Sequence, residues 1–207
     1  MSSQPTPQAI ARTYQFYAPI YDKLFGAVLG PGRDALAKAV RKLQPKSLLE
    51  VGVGTGLMLA EYPASTHITG VDLSPHMLEH ARQRADALAR GNIALQVMDA
   101  ERMPFADGSF DCVTIPYVLS VTTDPDRLVA EARRVCRKGG TIMVLNHFSG
   151  SRFWWLLERA VRQVADRIGF RSDFDYDQHI LRHDWQVQSV TPVNLFGLSR
   201  LVVLKNV

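Results

Sequence analysis

Short apolar runs recur through the middle of the chain, separated by stretches whose apolar residues fall at helical spacing. Ser47 to Val51, Ile68 to Val71, Ile93 to Met98, Phe110 to Tyr117 and Thr141 to Asn146 are too short for helices and rich in Leu, Ile and Val. They read as buried strands of a parallel sheet. Arg33 to Leu43 reads as the helix leading into the first strand, and a helix is expected near 56–62. Ser74-Pro75 is a good N-cap and first helical residue, opening a helix through Met77, Leu78, Ala81 and Leu88 to Gly91 as its C-terminal cap. A further helix from about 126 to 137 precedes Gly139-Gly140. Strands alternating with helices at this rhythm predict an α/β fold built on a doubly wound parallel sheet. Val187 to Val193 and Leu198 to Leu204 add two strands around Asn194-Leu195-Phe196-Gly197.

The two flanks follow a different pattern. Ile10, Tyr14, Tyr17, Tyr21, Leu24, Phe25 and Val28 form one helical stripe, which Pro19 divides into two short helices and Gly30-Pro31-Gly32 ends. Residues 151–169 form another helix, with Phe153, Leu157, Ala160, Val161, Val164 and Ile168 inward. Trp155 falls on its opposite side beside Arg152, Arg159 and Arg162, facing an interface or packing on the terminal hairpin. The expected organisation is a helical extension over 1–46 and one main domain over 47–207.

Composition narrows the class. The 207 residues, 46% of them hydrophobic, suffice for one domain with a core. Cys112 and Cys136, one in an apolar strand and one in a basic helix, suggest neither a disulfide framework nor a metal site. The N-terminus has no signal-peptide pattern, and no apolar run approaches the ~20 residues of a spanning helix, so a cytoplasmic, reducing location is expected. Charge is unevenly spread. Residues 1–46 hold seven Lys/Arg against two Asp/Glu, 47–124 hold four against ten, and 125–207 hold thirteen against eight. Basic flanks of this kind attract anionic surfaces or serve as ordinary solvated faces.

The chemistry concentrates after the first strand. In Glu50-Val51-Gly52-Val53-Gly54-Thr55-Gly56 the glycines let backbone lie against a ligand where strand turns into helix. A dinucleotide fingerprint would need glycine at 57, where Leu57 stands. The order acid-x-Gly-x-Gly-x-Gly instead resembles the first motif of the class I S-adenosylmethionine-dependent methyltransferases. That resemblance implies S-adenosyl-L-methionine as cofactor and a seven-stranded sheet ending in an antiparallel hairpin. Glu50, Gly52, Gly54, Thr55 and Gly56 would hold its methionine end, and Asp72, ending the second strand, its ribose hydroxyls. Asp99 and Ala100 would meet the adenine amino group, with Leu73 and Met77 flanking the base and Ile115 completing the pocket. Three acids at the carboxyl ends of three successive strands sit where such sheets bind ligands.

The phrase Tyr17-Ala18-Pro19-Ile20-Tyr21-Asp22, with Phe25-Gly26, Gly32-Arg33, Tyr117-Val118-Leu119-Ser120-Val121 and Asn146-His147-Phe148, resembles the short soluble bacterial phospholipid N-methyltransferases. These convert phosphatidylethanolamine stepwise to phosphatidylcholine. The ubiquinone and menaquinone C-methyltransferases share a Tyr-Asp near the N-terminus and give the rival reading. A cofactor-binding, membrane-associated protein without turnover is the rival from another class. Methylating an amine requires a free lone pair and tolerance of a cationic product, which aromatic faces provide. Tyr14, Tyr17 and Tyr117 are therefore candidate substrate contacts and Tyr21 a candidate catalytic residue, although tyrosines at this spacing read equally as core. His147, beside Asn146, is the candidate proton acceptor, and Arg33 a candidate for the lipid phosphate. No metal is implied. With no Asn-Pro-Pro-Tyr-type motif or cysteine nucleophile evident, nucleic acid is not an expected partner. The expected partners are a phospholipid substrate and an anionic membrane surface, met peripherally through an N-terminal lid.

Overall fold

The computed structural model describes residues 29–147, 185–194 and 197–207. Seven strands form one sheet: β1 Ser47–Val51, β2 His67–Asp72, β3 Ile93–Val97, β4 Phe110–Pro116, β5 Cys136–His147, β6 Trp185–Val193 and β7 Ser199–Asn206. Their order is β3-β2-β1-β4-β5-β7-β6. β1 to β5 are parallel, and β7 lies antiparallel between β5 and β6. The sequence-based expectation of a doubly wound seven-stranded sheet with an antiparallel terminal hairpin holds. The chain steps from β1 outward to β3, then returns to lay β4 on β1's other side. That reversal makes the carboxyl ends of β1 and β4 a topological switch point, where open sheets of this type bind ligands.

Alternate strand residues face opposite layers, as strand geometry requires. Leu49, Val51, Val113, Ile115, Ile142 and Val144 pack with Leu128, Val129, Ala132 and Val135 of helix α3, Pro125–Val135. Leu48, Cys112, Met143 and Leu145 pack on the other face with Leu36, Ala37 and Val40 of helix α1, over 29–43, and with Leu78 and Ala81 of α2, Pro75–Ala87. Helix α1 is thus a layer packed on the sheet. The rest of the lid expected over 1–46, residues 1–28, lies outside the described residues.

Several boundaries differ from the sequence reading, most for a local reason. Gly30-Pro31-Gly32 does not end a helix but lies within α1, which is helical from residue 29 through residue 43. The helix expected at 56–62 is only a 3-10 turn, Leu59–Glu61. Arg84 donates to the Thr55 carbonyl, and Arg90 to those of Leu59 and Tyr62, occupying acceptors that a longer helix would use. Ser74 caps α2 as expected, accepting from the Met77 N–H at 3.3 Å. That helix stops at Ala87, with Ala89 rather than Gly91 in the left-handed region. Asn92, donating to the Ala64 and Thr66 carbonyls, fixes the chain beyond it. Cys136 opens β5 instead of lying in a helix. Asn206 Nδ2 ends α3 there by donating to the carbonyls of Arg133, Cys136 and Arg137.

Candidate active site

β1 delivers Glu50 to the switch point and leaves it 1% exposed. Its Oε2 has no hydrogen-bond partner, and its carboxyl group otherwise meets the Tyr62 phenol. Burial pushes the Glu50 pKa up to about 8; the Tyr62 hydrogen bond opposes that rise and the nearby Asp72 charge adds to it. An unpaired acceptor sealed from water is costly unless a ligand supplies the missing donor.

Asp72 ends β2 and accepts from Gly54 N–H through Oδ2 and from Ser74 N–H through Oδ1, both at 2.9 Å. It therefore braces the glycine turn against the start of α2. Burial raises its pKa, while the N–H groups of Ser74, Gly54 and Leu73 restrain the rise. A carboxylate's roughly four lone-pair sites exceed these N–H partners and leave acceptor capacity for a hydroxyl-bearing ligand. Asp99, past β3, is exposed and accepts from Glu101 N–H at 2.9 Å. Leu73 is 38% exposed, whereas Met77 is buried and Ala100 half-buried against the core. Thr55 is buried and its carbonyl accepts from Arg84 Nη1 at 2.6 Å. The Ile115 side chain belongs to the core beneath the crevice, among Leu49, Val51 and Val144.

The glycine turn fits close approach. Gly52, Gly54 and Gly56 all have positive φ. A Cβ on Gly56 would lie 3.1 Å from Ala81 Cα, so helix and turn touch there without side chains. A Cβ on Gly54 would meet nothing nearer than the Gly52 carbonyl at 4.0 Å, which leaves that side open to a ligand. The residues suit S-adenosylmethionine: an orphaned buried carboxylate oxygen and two further acids for a cationic, hydroxyl-bearing ligand, and exposed Leu57 and Leu73 for an apolar base. When bound, that group supplies an electrophilic methyl on a sulfonium. Glu50 and Asp72 would hold and orient its carrier.

On the β4 side, the candidates are bound into the fold. Tyr117 has φ +60°, takes the Leu145 carbonyl through its N–H at 2.6 Å, and donates its phenol to Leu29 O. Asn194 Nδ2 donates to that phenol at 2.9 Å and to Ser199 Oγ at 2.7 Å, while Asn194 Oδ1 accepts from Gly32 N–H at 2.7 Å. Burial raises the Tyr117 pKa, with Asn194, Ser199 and the Arg33 charge pulling it back. Arg33 and Tyr117 are therefore neighbours, but the phenol ties α1 to the β6–β7 turn instead of standing free for substrate. Asn146 is a correction to the sequence reading. It is wholly buried at the end of β5, and its Oδ1 accepts from Ser120 at 3.4 Å, bracing the turn after β4. His147 ends β5 opposite Ser199; its side chain lies outside what is described, as do Tyr14, Tyr17, Tyr21 and Trp155. Both cysteines are buried, and burial raises both thiols, so neither is a nucleophile.

Sequence reasoning missed Tyr62, Thr114, Glu101 and Asn194. Glu101 Oε1 accepts from Thr122 Oγ1, Thr123 Oγ1 and the N–H groups of Thr123 and Asp124. It thereby ties the turn after β3 to the loop before α3. Its position beside Asp99-Ala100 was the available signal; nothing local marked Tyr62.

Residues 49–144 match the family described as Methyltransferase domain. Over 192 residues the chain is 35% identical to a phosphatidylethanolamine N-methyltransferase of Cereibacter sphaeroides, covering 92% of this chain and 94% of that protein. It is 39% identical over 137 residues to a demethylmenaquinone methyltransferase of Thermus thermophilus, covering 62% of this chain and 61% of that one. A solved S-adenosylmethionine-dependent methyltransferase of Thermotoga maritima superposes with TM-score 0.69 at 21% identity, over 96% of this chain and all of that one. Sheet order, glycine turn, strand-end acids and these relatives together make this chain a member of the class I S-adenosylmethionine-dependent methyltransferases.

Proposed function

We propose that this enzyme methylates the amine of the phosphatidylethanolamine head group, stepwise toward phosphatidylcholine, at an anionic membrane surface. The observation that carries the reading is the extent of similarity. The phosphatidylethanolamine enzyme matches along almost the whole of both chains, flanks included, whereas the demethylmenaquinone enzyme matches over less than two thirds of each. Acceptor specificity in this fold sits outside the shared cofactor half, so similarity in the flanks bears most on substrate.

The reaction would proceed by in-line displacement, with rate gained chiefly from placing amine and methyl together. The amine must arrive without its proton, and His147 is the proposed acceptor. Arg33 would meet the lipid phosphate from the first turns of α1. Tyr14, Tyr17 and Tyr21 would line the head group. The basic flanks supply attraction to anionic lipid, about 1 kcal/mol for each Lys or Arg near the surface. A quinone-ring C-methyltransferase is the second reading, favoured by the 39% identity over the 137 residues that the demethylmenaquinone enzyme matches.

The test is to incubate the enzyme with methyl-labelled S-adenosylmethionine and vesicles containing both phosphatidylethanolamine and a demethylated quinone. Label in mono-, di- or trimethylated phosphatidylethanolamine is expected. Label confined to the quinone would overturn the proposal in favour of the second reading.

A further inference from the structure

Behind the glycine turn lies a buried chain of polar groups that the cofactor assignment leaves unexplained. The Glu50 carboxyl group meets the Tyr62 phenol. Tyr62 OH lies 3.3 Å from Thr114 Oγ1, and either atom can donate. Thr114 Oγ1 is 3.4 Å from the Leu49 carbonyl, which only accepts. Glu50, Tyr62 and Thr114 are at most 2% exposed, so water does not complete their bonding.

Counting hydrogens gives two self-consistent arrangements. If Thr114 donates to Leu49 O, Tyr62 must donate to Thr114, and its contact with Glu50 then needs a hydrogen from Glu50. Glu50 is neutral in that arrangement. If Glu50 is ionised, Tyr62 donates to the carboxylate and Thr114 turns to donate to Tyr62, releasing the Leu49 carbonyl. The charged and titratable groups acting here are Asp72 from β2, which opposes ionisation of Glu50, and Cys112 from β4, which bears on Tyr62. None of them is cationic. Among the described residues the Tyr62 phenol is all that favours a negative Glu50 and no cation stands beside it, whereas a ligand with a cationic end would supply one.

We propose that Glu50, Tyr62 and Thr114 form a hydrogen-bond chain that reverses direction when S-adenosylmethionine binds, so that binding expels to solvent the proton Glu50 carries in the free protein. The Glu50 O–H bond breaks, its electron pair stays on the carboxylate, and the proton passes to buffer. Tyr62 and Thr114 act as positioning residues that serve both charge states. Burial pushing the Glu50 pKa up to about 8 agrees with this arrangement. The inference rests on the cofactor assignment alone and is tested without any acceptor, so it stands or falls separately from the lipid reading.

Calorimetric titration of S-adenosylmethionine into the full chain at pH 6.5, in two buffers of different ionisation enthalpy, reads the protons released. This pH lies below the ligand amine's own titration, at about 7.7–8.0 for an α-amino group. Wild type should release about one proton, and its affinity should rise about tenfold between pH 6 and pH 7. Glu50→Gln, which mimics the neutral side chain, should release none and show no such rise. Tyr62→Phe removes the donor that favours the carboxylate, so its rise should extend to higher pH and its affinity at pH 6.5 should fall. Infrared spectra of the free protein supply a readout that survives a variant too weak to titrate. A protonated-carboxyl band should be present in wild type, absent in Glu50→Gln, and lost from wild type on saturation with cofactor. Equal proton release in wild type and Glu50→Gln, or no such band in the free wild type, would overturn the proposal.

Discussion

On the β1 to β3 side of the switch point, carboxylates end their strands with acceptor capacity to spare. Glu50 has an oxygen with no partner, and Asp72 accepts only from backbone N–H groups. On the β4 and β5 side, Tyr117 and Asn146 stand at equivalent strand ends, yet their polar atoms are joined to the fold, through Asn194 and Leu29 for one and Ser120 for the other. The contrast shows where ligand binding is built into the sheet. In the proposed site the cofactor would be met by strand-end carboxylates that keep acceptor capacity. In the proposed reading the acceptor would fall to side chains from the flanking segments, with Arg33 at their border.

The largest effect that would sharpen this contrast is on pH-dependent stability of the cofactor-free protein. A carboxyl group with a folded pKa of about 8, against 4.5 unfolded, retains its proton on folding. Its contribution is full below pH 4.5, is lost as pH rises toward 8, and is level above that. At 1.36 kcal/mol per unit the loss is on the order of a few kcal/mol. Denaturant melts from pH 5 to 9 should show wild type weakening more steeply than Glu50→Gln; parallel curves would place Glu50 among ordinary carboxylates. Next comes Gly56→Ala. It puts a Cβ at positive φ and 3.1 Å from the backbone of α2, and should cost about 2–4 kcal/mol of stability from left-handed strain and overpacking together. Retention of wild-type stability would mean that turn and helix separate freely. Smallest is Tyr117→Phe, which deletes the hydroxyl shared with Asn194 and should cost about 1 kcal/mol in a denaturant melt. If it instead abolished methyl transfer in a fully folded protein, Tyr117 would belong to the acceptor site and the contrast would fail on that side.

The legible parts of the molecule are those fixed by local sequence. Strand runs, the Ser74-Pro75 helix start and the glycine turn each follow from composition over a few residues, and with them came the sheet and the three strand-end acids. What escaped depends on contacts between distant segments. Tyr62 meets Thr114 across 52 positions and Asn194 meets Gly32 across 162. The short helix expected at 56–62 failed for the same reason, because Arg84 and Arg90 from beyond β2 occupy the carbonyls of that turn. Tyr117 and Asn146 stood at the right strand ends for a site, and sequence could not tell a polar group joined to the fold from one left open.

Thermal or denaturant melts of wild type, Asp72→Ala and Tyr117→Phe, each with and without S-adenosylmethionine at 100 times the wild-type Kd, test the division directly. Ligand at that excess stabilises its binder by about 2.7 kcal/mol. Wild type and Tyr117→Phe should both gain that amount. Asp72→Ala, having lost a hydrogen bond of about 1.5–3 kcal/mol to a charged group, should gain about half of it or less. An undiminished gain in folded Asp72→Ala, or a gain lost in Tyr117→Phe, would contradict the assignment of cofactor binding to the β1 to β3 side.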